Sequence, residues 1–387
     1  MPTLDDLVDS RKVIVCVGSG GVGKTTMSAA IALKAAERGR SVCVLTIDPA
    51  KRLANALGLT SLGNTESRIG NDQLESAGIR TRGQLWAMML DTKRTWDDLV
   101  LRFAPTPAQA QRILANHYYQ QISSALAGSQ EFMAMEKMYE LHESGRYDLL
   151  VLDTPPTRHA LDFLDAPTKM MGFMDERVLN FFLTPTRIAG RFGMGLLKGS
   201  TAIMFKVLER ITGFGVLRDI GDFVSSFSGM YEGFRDRAGR VETFLRADTS
   251  SFVLVTGPDP PTVAEAQFFF ARLGDYRMPF GGFIVNRVHP DAFAEPGAHE
   301  EWRRVREQPT RIFESLGVAG GDTLARLMIE NVDRFQALAE RDASGVERLR
   351  ATSAGPHFWR IVPAFDADVH DLSSLAHLNK HLFENPD

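Results

Sequence analysis

The chain has 387 residues, a formal net charge of -4 and 44% hydrophobic residues. This length allows a large buried core, as one α/β domain or as two smaller ones. The negative charge argues against nucleic acid as a main partner, because proteins that bind its phosphates are usually basic. The acidic N-terminus does not resemble a signal peptide, and no apolar run reaches the ~20 residues that span a bilayer. We therefore expect a cytoplasmic protein.

Strand-like and helix-like patterns alternate along most of the chain. Short apolar runs that end at polar, glycine or proline residues predict seven strands: Val13–Val17, Ser41–Ile47, Leu85–Leu90, Asp148–Leu152, Phe252–Thr256, Gly282–Val285 and Phe358–Val362. Helical patterns lie between most of them, such as Lys24–Arg38, which ends at Gly39. Asp322–Thr352 predicts one amphipathic helix, or two, packed on the sheet. The alternation indicates an α/β fold with a doubly wound, mainly parallel sheet, whose ligands bind beyond the carboxyl ends of the strands.

Two regions interrupt this alternation. Residues 94–145 have helical patterns, and residues 166–246 are dense in Met and Phe with several glycines. We expect both ranges to form a helical subdomain inserted into a single domain, whose core comprises about 1–93, 146–165 and 247–387. Two compatible interpretations of the second range stay open. It can be a subdomain with its own core, or a soft apolar surface for a hydrophobic partner, because Met side chains adapt to varied shapes.

A glycine-rich stretch predicts a phosphate-binding loop. Gly18–Thr25 (GSGGVGKT) matches G-x-x-x-x-G-K-[ST] and lies between a predicted strand and a predicted helix. The glycines let backbone N–H groups curl around a phosphate, and the helix N-terminus adds partial positive charge. In this motif the lysine bridges the β- and γ-phosphates, and the hydroxyl residue binds magnesium. The sequence therefore predicts a nucleotide site in which Lys24 and Thr25 take these roles.

Two aspartates follow predicted strands. Asp153 ends the apolar run LLVL, which is the Walker-B arrangement, so we expect it in the magnesium shell, through a water molecule. Asp48 follows the second strand, where a carboxylate can accept a hydrogen bond from an attacking water. Either residue alone could be a helix cap or a turn residue. Together with the phosphate loop they indicate nucleotide hydrolysis.

Longer stretches resemble a known family. The loop GSGGVGKTT resembles the deviant Walker A motif of arsenite-pump ATPases, tail-anchored-protein targeting ATPases, partition ATPases and nitrogenase iron proteins. The segments TIDPAKRLANALG and YDLLVLDTPPTRHALDFLDAP are similar to the two switches of the arsenite-pump and tail-anchored-targeting family. FIVNRV is similar to its base-binding turn, and IVPAFDADVHDLSSL to its adenine loop. The resemblance covers nearly the whole chain in the family's order, except for the helical insert.

The resemblance implies a P-loop ATPase that uses ATP and Mg²⁺. It assigns Asp48 to the water and Asp153 to the magnesium shell. The residues that it places around the nucleotide are Gly20, Gly21, Val22, Gly23, Lys24, Thr25 and Thr26 at the phosphates, and Asn286, Arg287, Pro363, Ala364 and Phe365 at the adenine. Family members act as face-to-face dimers. One copy of the motif here implies a homodimer, or a heterodimer with a related subunit, which nucleotide closes so that the helical subdomains form a hydrophobic client groove.

The chain departs from the family at its signature lysine. That lysine reaches across the dimer to the partner's phosphates, and this chain has Ser19 in its place. We expect slower catalysis unless another cation substitutes. The candidates are Arg158 first, as a catalytic residue in the second switch, and then Lys51 and Arg52 after the first switch. A related partner subunit that supplies the lysine is the remaining possibility.

Cysteine usage is the other departure. The only cysteines, Cys16 and Cys43, lie inside predicted strands, where we expect two buried thiols. Thiolates for arsenite and the zinc-binding CxxC of eukaryotic-type targeting dimers are therefore missing. Three functions stay open. The leading one is a magnesium ATPase that handles a hydrophobic or membrane-protein client. The others are an anion-pump motor that docks on a membrane partner, and a weakly or non-catalytic nucleotide switch.

Overall fold

The computed structural model describes residues 3–48, 52–117, 119–120, 123, 129–155, 165, 230–315, 317 and 321–384. Eight strands in these parts form one sheet: β1 Val13–Val17, β2 Ser41–Thr46, β3 Ser67–Arg68, β4 Gln84–Met89, β5 Leu149–Asp153, β6 Ser250–Thr256, β7 Phe280–Val288 and β8 Phe358–Pro363. Their order is β3-β4-β2-β5-β1-β6-β7-β8. Neighbouring strands are parallel, except that β3 runs antiparallel to β4. All seven predicted strands are present, and the mainly parallel sheet is confirmed.

Helices connect most of these strands. They are α1 Leu4–Ser10, α2 Lys24–Glu37, α3 Arg52–Ala56, α4 Asn71–Ser76, α5 Thr92–Phe103, α6 Pro107–Ala115, α7 Ser129–Glu143, α8 Tyr231–Arg246, α9 Pro260–Asp275, α10 Ala298–Glu307, α11 Pro309–Ser315, α12 Gly321–Thr352 and α13 Leu372–Asn379. Helix α12 is one continuous helix of 32 residues, where the sequence allowed one or two. None of the helices in the described ranges combines the length and the apolar content that crossing a bilayer requires.

Both faces of the sheet are covered, as a doubly wound fold requires. Along β1, Val13, Val15 and Val17 belong to the core on one face, and Ile14 and Cys16 to the core on the other. Helices α5–α9 and α12 contribute to the first core, and α1–α4 and α13 to the second. Burial on both faces explains why the strands have continuous apolar sequences rather than alternating ones.

The predicted division into a core and a helical subdomain stays a prediction. Helices α5, α6 and α7 fall almost entirely within the first predicted helical range, and α8 ends the second. Their buried side chains share one core with the sheet; Trp96, Phe132 and Phe234 are examples. Residues 166–229 lie outside the described residues.

The strand order brings the polar motifs together at one edge. Strand β1 lies between β5 and β6, so the loop after β1 is flanked by the carboxyl ends of both. In the register of the sheet, Asp153 lies beside Cys16 on one side and beside Thr46 on the other. The loop after β1 therefore lies above a carboxylate that two neighbouring strands enclose.

Candidate functional site

The turn between β1 and α2 has the backbone of a phosphate-binding loop. Gly21 and Gly23 have φ values of 78° and 97°, a conformation that strains residues with a side chain. A Cβ atom at Gly23 would lie only 2.5 Å from Nδ2 of Asn286. Glycine at this position therefore serves both the backbone conformation and the close approach of β7.

Asp153 is completely buried beneath this loop. The hydroxyls of Thr25 and Thr46 each donate a hydrogen bond to Oδ2 of Asp153 at 2.8 Å. Its other oxygen, Oδ1, has no hydrogen-bond partner among the described residues. Burial raises the pKa of Asp153 to about 6, although both hydrogen bonds and the charge of Lys24 oppose this shift. A buried carboxylate with an unpartnered oxygen beside a threonine hydroxyl suits a bound cation.

This arrangement fits magnesium held together with a phosphate ligand. The described ranges contain no group of three or more His, Cys, Asp or Glu side chains that could hold a metal ion. Mg²⁺ commonly takes only one or two protein ligands and completes its shell with phosphate oxygens and water. Thr25 and Asp153 are the residues that would supply the protein part of such a shell.

Lys24 and Ser19 are both buried in the loop, 6% and 7% exposed respectively. The ammonium group of Lys24 donates to the backbone oxygen of Ser19 at 2.7 Å. Burial lowers the pKa of Lys24, and the carboxylates of Asp153 and Asp48 oppose this shift. The hydroxyl of Ser19 donates to the carboxylate of Glu265 on α9. Ser19 is therefore an anchor of the loop within its own chain.

A cavity of about 630 Å³ opens above the loop. This volume falls in the range of roughly 300–1,000 Å³ that is usual for small-molecule sites. The predicted site residues that line it are Gly21, Gly23, Lys24, Thr25, Thr26, Asp48, Asn286, Arg287, Ala364 and Phe365. The structure thus brings the segments predicted as phosphate loop, first switch, base-binding turn and adenine loop to one cavity.

The remaining predicted residues lie around this cavity or outside the described part. Gly20 and Val22 line an adjoining cavity of about 230 Å³. Pro363 ends β8 immediately before the lining residue Ala364. Arg158 and Lys51 lie outside the described residues. Arg52, the third candidate cation, lines the main cavity together with Asp48.

The hydrogen-bond partners Thr46, of Asp153, and Glu265, of Ser19, were not predicted. Thr46 is a polar residue at the end of an apolar strand sequence, and that signal could have identified it as a partner for a neighbouring strand end. Glu265 is 246 positions from Ser19 in the chain, so no local pattern could have paired them.

The fold and this site define a P-loop ATPase, and comparison with known proteins gives its family. The family model described as anion-transporting ATPase matches residues 11–315. The chain belongs to this family, as its motifs indicated, and is an ATP hydrolase.

Its relatives include proteins from fungi and bacteria. The protein named ATPase GET3 of Malassezia globosa is 26% identical over 357 residues, which cover 91% of this chain and 93% of the relative. The ATPase GET3 of Lachancea thermotolerans is 27% identical over 319 residues, covering 78% of this chain and 79% of the relative. A protein of Aquifex aeolicus, provisionally named as an arsenical pump-driving ATPase, is 25% identical over 354 residues, which cover 87% of this chain and 76% of the relative.

Substituting Gly23→Ala should weaken ATP binding by about tenfold or more, because left-handed backbone strains alanine by 1–2 kcal/mol. The new Cβ would also clash with Asn286. Titration with a fluorescent ATP analogue measures the affinity. The matched control is Gly145→Ala, because Gly145 also has a positive φ, of 65°, but open space beside it, away from the cavity. The control should bind as the wild type does, and equal affinity of the Gly23→Ala variant would contradict this account of the loop.

Proposed function

We propose that the 630 Å³ cavity binds ATP with Mg²⁺ and hydrolyses its terminal phosphate. One observation carries this proposal. A phosphate loop, a half-buried carboxylate after β2 and an aromatic loop after β8 all line the same cavity. Phe365 and the phosphate loop both line this cavity, so the base would lie along Phe365 while the loop holds the phosphates. A triphosphate with a base attached suits a cavity with this lining.

The residues divide the chemistry between them. Lys24 exchanges its contact with the Ser19 carbonyl for oxygens of the β- and γ-phosphates. Thr25 and Asp153 would hold Mg²⁺, Thr25 through its hydroxyl and Asp153 through a water molecule, and the ion would neutralise phosphate charge. Asp48 accepts a hydrogen bond from the attacking water and orients it. The water oxygen bonds to the γ-phosphorus, the bond to the bridging oxygen breaks, and ADP, phosphate and a proton leave.

Substituting Asp48→Asn should lower the rate of single-turnover hydrolysis by about 10²-fold, because an amide orients the water poorly and cannot take up its proton. ATP affinity should change little, since Asp48 contributes to the reaction more than to binding. The measurement is release of phosphate with enzyme in excess over ATP. A wild type no faster than this variant would contradict the catalytic role of Asp48 and favour the nucleotide switch.

We propose that a cation from a switch segment replaces the charge that Ser19 lacks. Arg158 is the first candidate from the sequence, and Arg52 is supported by its place in the lining of the cavity beside Asp48. A cation at the γ-phosphate stabilises the charge of the transition state. The partner subunit is the other possible source of this charge.

Removing the responsible arginine should slow single-turnover hydrolysis by at least about tenfold without a similar loss of ATP affinity. The variants Arg158→Ala and Arg52→Ala, compared in parallel, serve as controls for each other. Unchanged rates in both, and in Lys51→Ala, would contradict a switch cation and leave the partner subunit as the source.

We propose further that nucleotide closes a dimer and that the closed dimer binds a hydrophobic client, such as a membrane-protein segment. The support is the Met- and Phe-rich composition of residues 166–246 and the similarity to GET3 proteins over most of the chain. The dimer can contain two copies of this chain or one related subunit. A peripheral membrane partner and a cytoplasmic location stay predictions.

A labelled apolar helical peptide should bind this protein more tightly in one nucleotide state than in the other, because closure of the dimer changes the surface that binds the client. Fluorescence anisotropy with a non-hydrolysable ATP analogue and with ADP measures this difference, and sedimentation velocity reports the dimer. A peptide of equal length with polar replacements is the control. Equal, negligible binding of both peptides in both states would rule out the client role.

An anion-pump motor is the second candidate, and the family's description supports it. Its arsenite form is not favoured, because Cys16 and Cys43 are both completely buried in strands. Burial raises the pKa of Cys16 to about 12 and that of Cys43 further still. Arsenite needs accessible thiolates. Another anion remains compatible with this chain, and recovery of a membrane channel with the purified protein would support that function.

A further inference from the structure

We propose that Asn286 and Arg287 brace the phosphate loop from the end of β7, so that the base-binding turn also sets the affinity for phosphate. This inference rests on the nucleotide site proposed above. It gives both residues a positioning role that differs from direct recognition of the adenine.

A bulge in the sheet turns these two residues toward the loop. Strand β7 pairs with β8 at Val285 and Ile361, and pairs again at Val288 and Pro363. Three steps on β7 therefore match two on β8, which leaves one extra residue on β7. Arg287 has a φ of 61°, in the left-handed region that few non-glycine residues adopt. Bulges of this kind redirect side chains next to functional sites.

Both side chains end on carbonyl groups of the phosphate loop. Nδ2 of Asn286 donates to the oxygen of Val22 at 2.8 Å, and Nη1 of Arg287 donates to the oxygen of Gly21 at 3.3 Å. The backbone N–H of Arg287 donates to Oδ1 of Asn286 at 3.0 Å. That third bond fixes the orientation of the amide, so its NH₂ group faces Val22.

The hydrogen bonds to these two carbonyls also orient the backbone N–H groups of the residues that follow, Val22 and Gly23. A peptide unit is planar and trans, so its C=O and N–H point in opposite directions. Anchoring the oxygens of Gly21 and Val22 behind the loop therefore directs the N–H groups of Val22 and Gly23 the other way. Donors that are already oriented bind an anion without the cost of ordering the loop.

Two further observations tie the brace to the rest of the site. Asn286 is 8% exposed and occupies the space beside Gly23 where a Cβ would lie. Arg287 lines both cavities, and its Nη2 lies 3.8 Å from Oδ1 of Asp368, which belongs to the adenine loop. The base end and the phosphate end of the site are therefore one connected unit.

A phosphate ligand without a base separates this role from base recognition. We would measure how Mg·ATP and Mg·tripolyphosphate each displace a fluorescent ATP analogue. If Asn286 braces the loop, Asn286→Ala weakens the binding of both ligands by the same factor, about fivefold for one lost hydrogen bond. Arg287→Ala should weaken both by about threefold, and Arg287→Lys should restore most of this loss, because lysine can also donate to Gly21. Phe365→Ala is the reciprocal control and should weaken ATP alone.

The possible outcomes are distinct. The brace would be overturned if the Asn286 and Arg287 variants lost affinity for ATP but kept their affinity for tripolyphosphate. Both residues would then recognise the base. The brace would also be overturned if tripolyphosphate failed to displace the fluorescent analogue from the wild type, because a braced loop should bind phosphates without a base. Failure of the wild type to bind ATP would instead reject the proposed function. Melting temperatures without ligand check folding, and Arg287→Ala, at a side chain 63% exposed, carries the test if Asn286→Ala does not fold.

Discussion

A loop rich in glycine has few side chains with which to hold its own shape, so its neighbours must hold it. In this protein three neighbouring elements do so. Thr25 donates a hydrogen bond to Asp153 on β5, and Ser19 donates one to Glu265 on α9. The carbonyl of Val22 accepts a hydrogen bond from Asn286 on β7. The parallel strand order makes this possible, because β1 lies between β5 and β6 and all these strands end at the same edge. The phosphate site therefore depends on contacts between elements distant in sequence.

The hydrogen bond from Ser19 to Glu265 gives this position a structural role, whereas the family's lysine at this position has a catalytic one. As an anchor, Ser19 supports the shape of the loop and so favours binding of phosphate. Without a charge, it cannot stabilise the transition state across a dimer interface. Substitutions in the loop and in the residues that brace it should therefore change ATP affinity. Substitution of a cation in a switch or in a partner subunit should instead change the rate of hydrolysis.

Local signals account for what could be predicted from the sequence. Continuous apolar runs revealed the long strands, and the glycine pattern with Asp48 and Asp153 indicated the candidate site, because each signal lies within a few residues. Strand β3 has only two residues and left no such signal. The partners Thr46 and Glu265 depend on register and packing. Asn286 was predicted by resemblance, but it hydrogen-bonds to Val22 beside a bulge in the pairing of β7 with β8, which the sequence does not display.

The most direct test of this account is a crystal structure with Mg²⁺ and a non-hydrolysable ATP analogue. The account predicts phosphates in the loop, the metal at the hydroxyl of Thr25, and the base beside Phe365. It also predicts that Asn286 keeps its hydrogen bond to the Val22 carbonyl while the nucleotide is bound. A structure in which the amide of Asn286 leaves Val22 to bond the adenine, with the loop unchanged, would contradict the claim that β7 holds the phosphate loop.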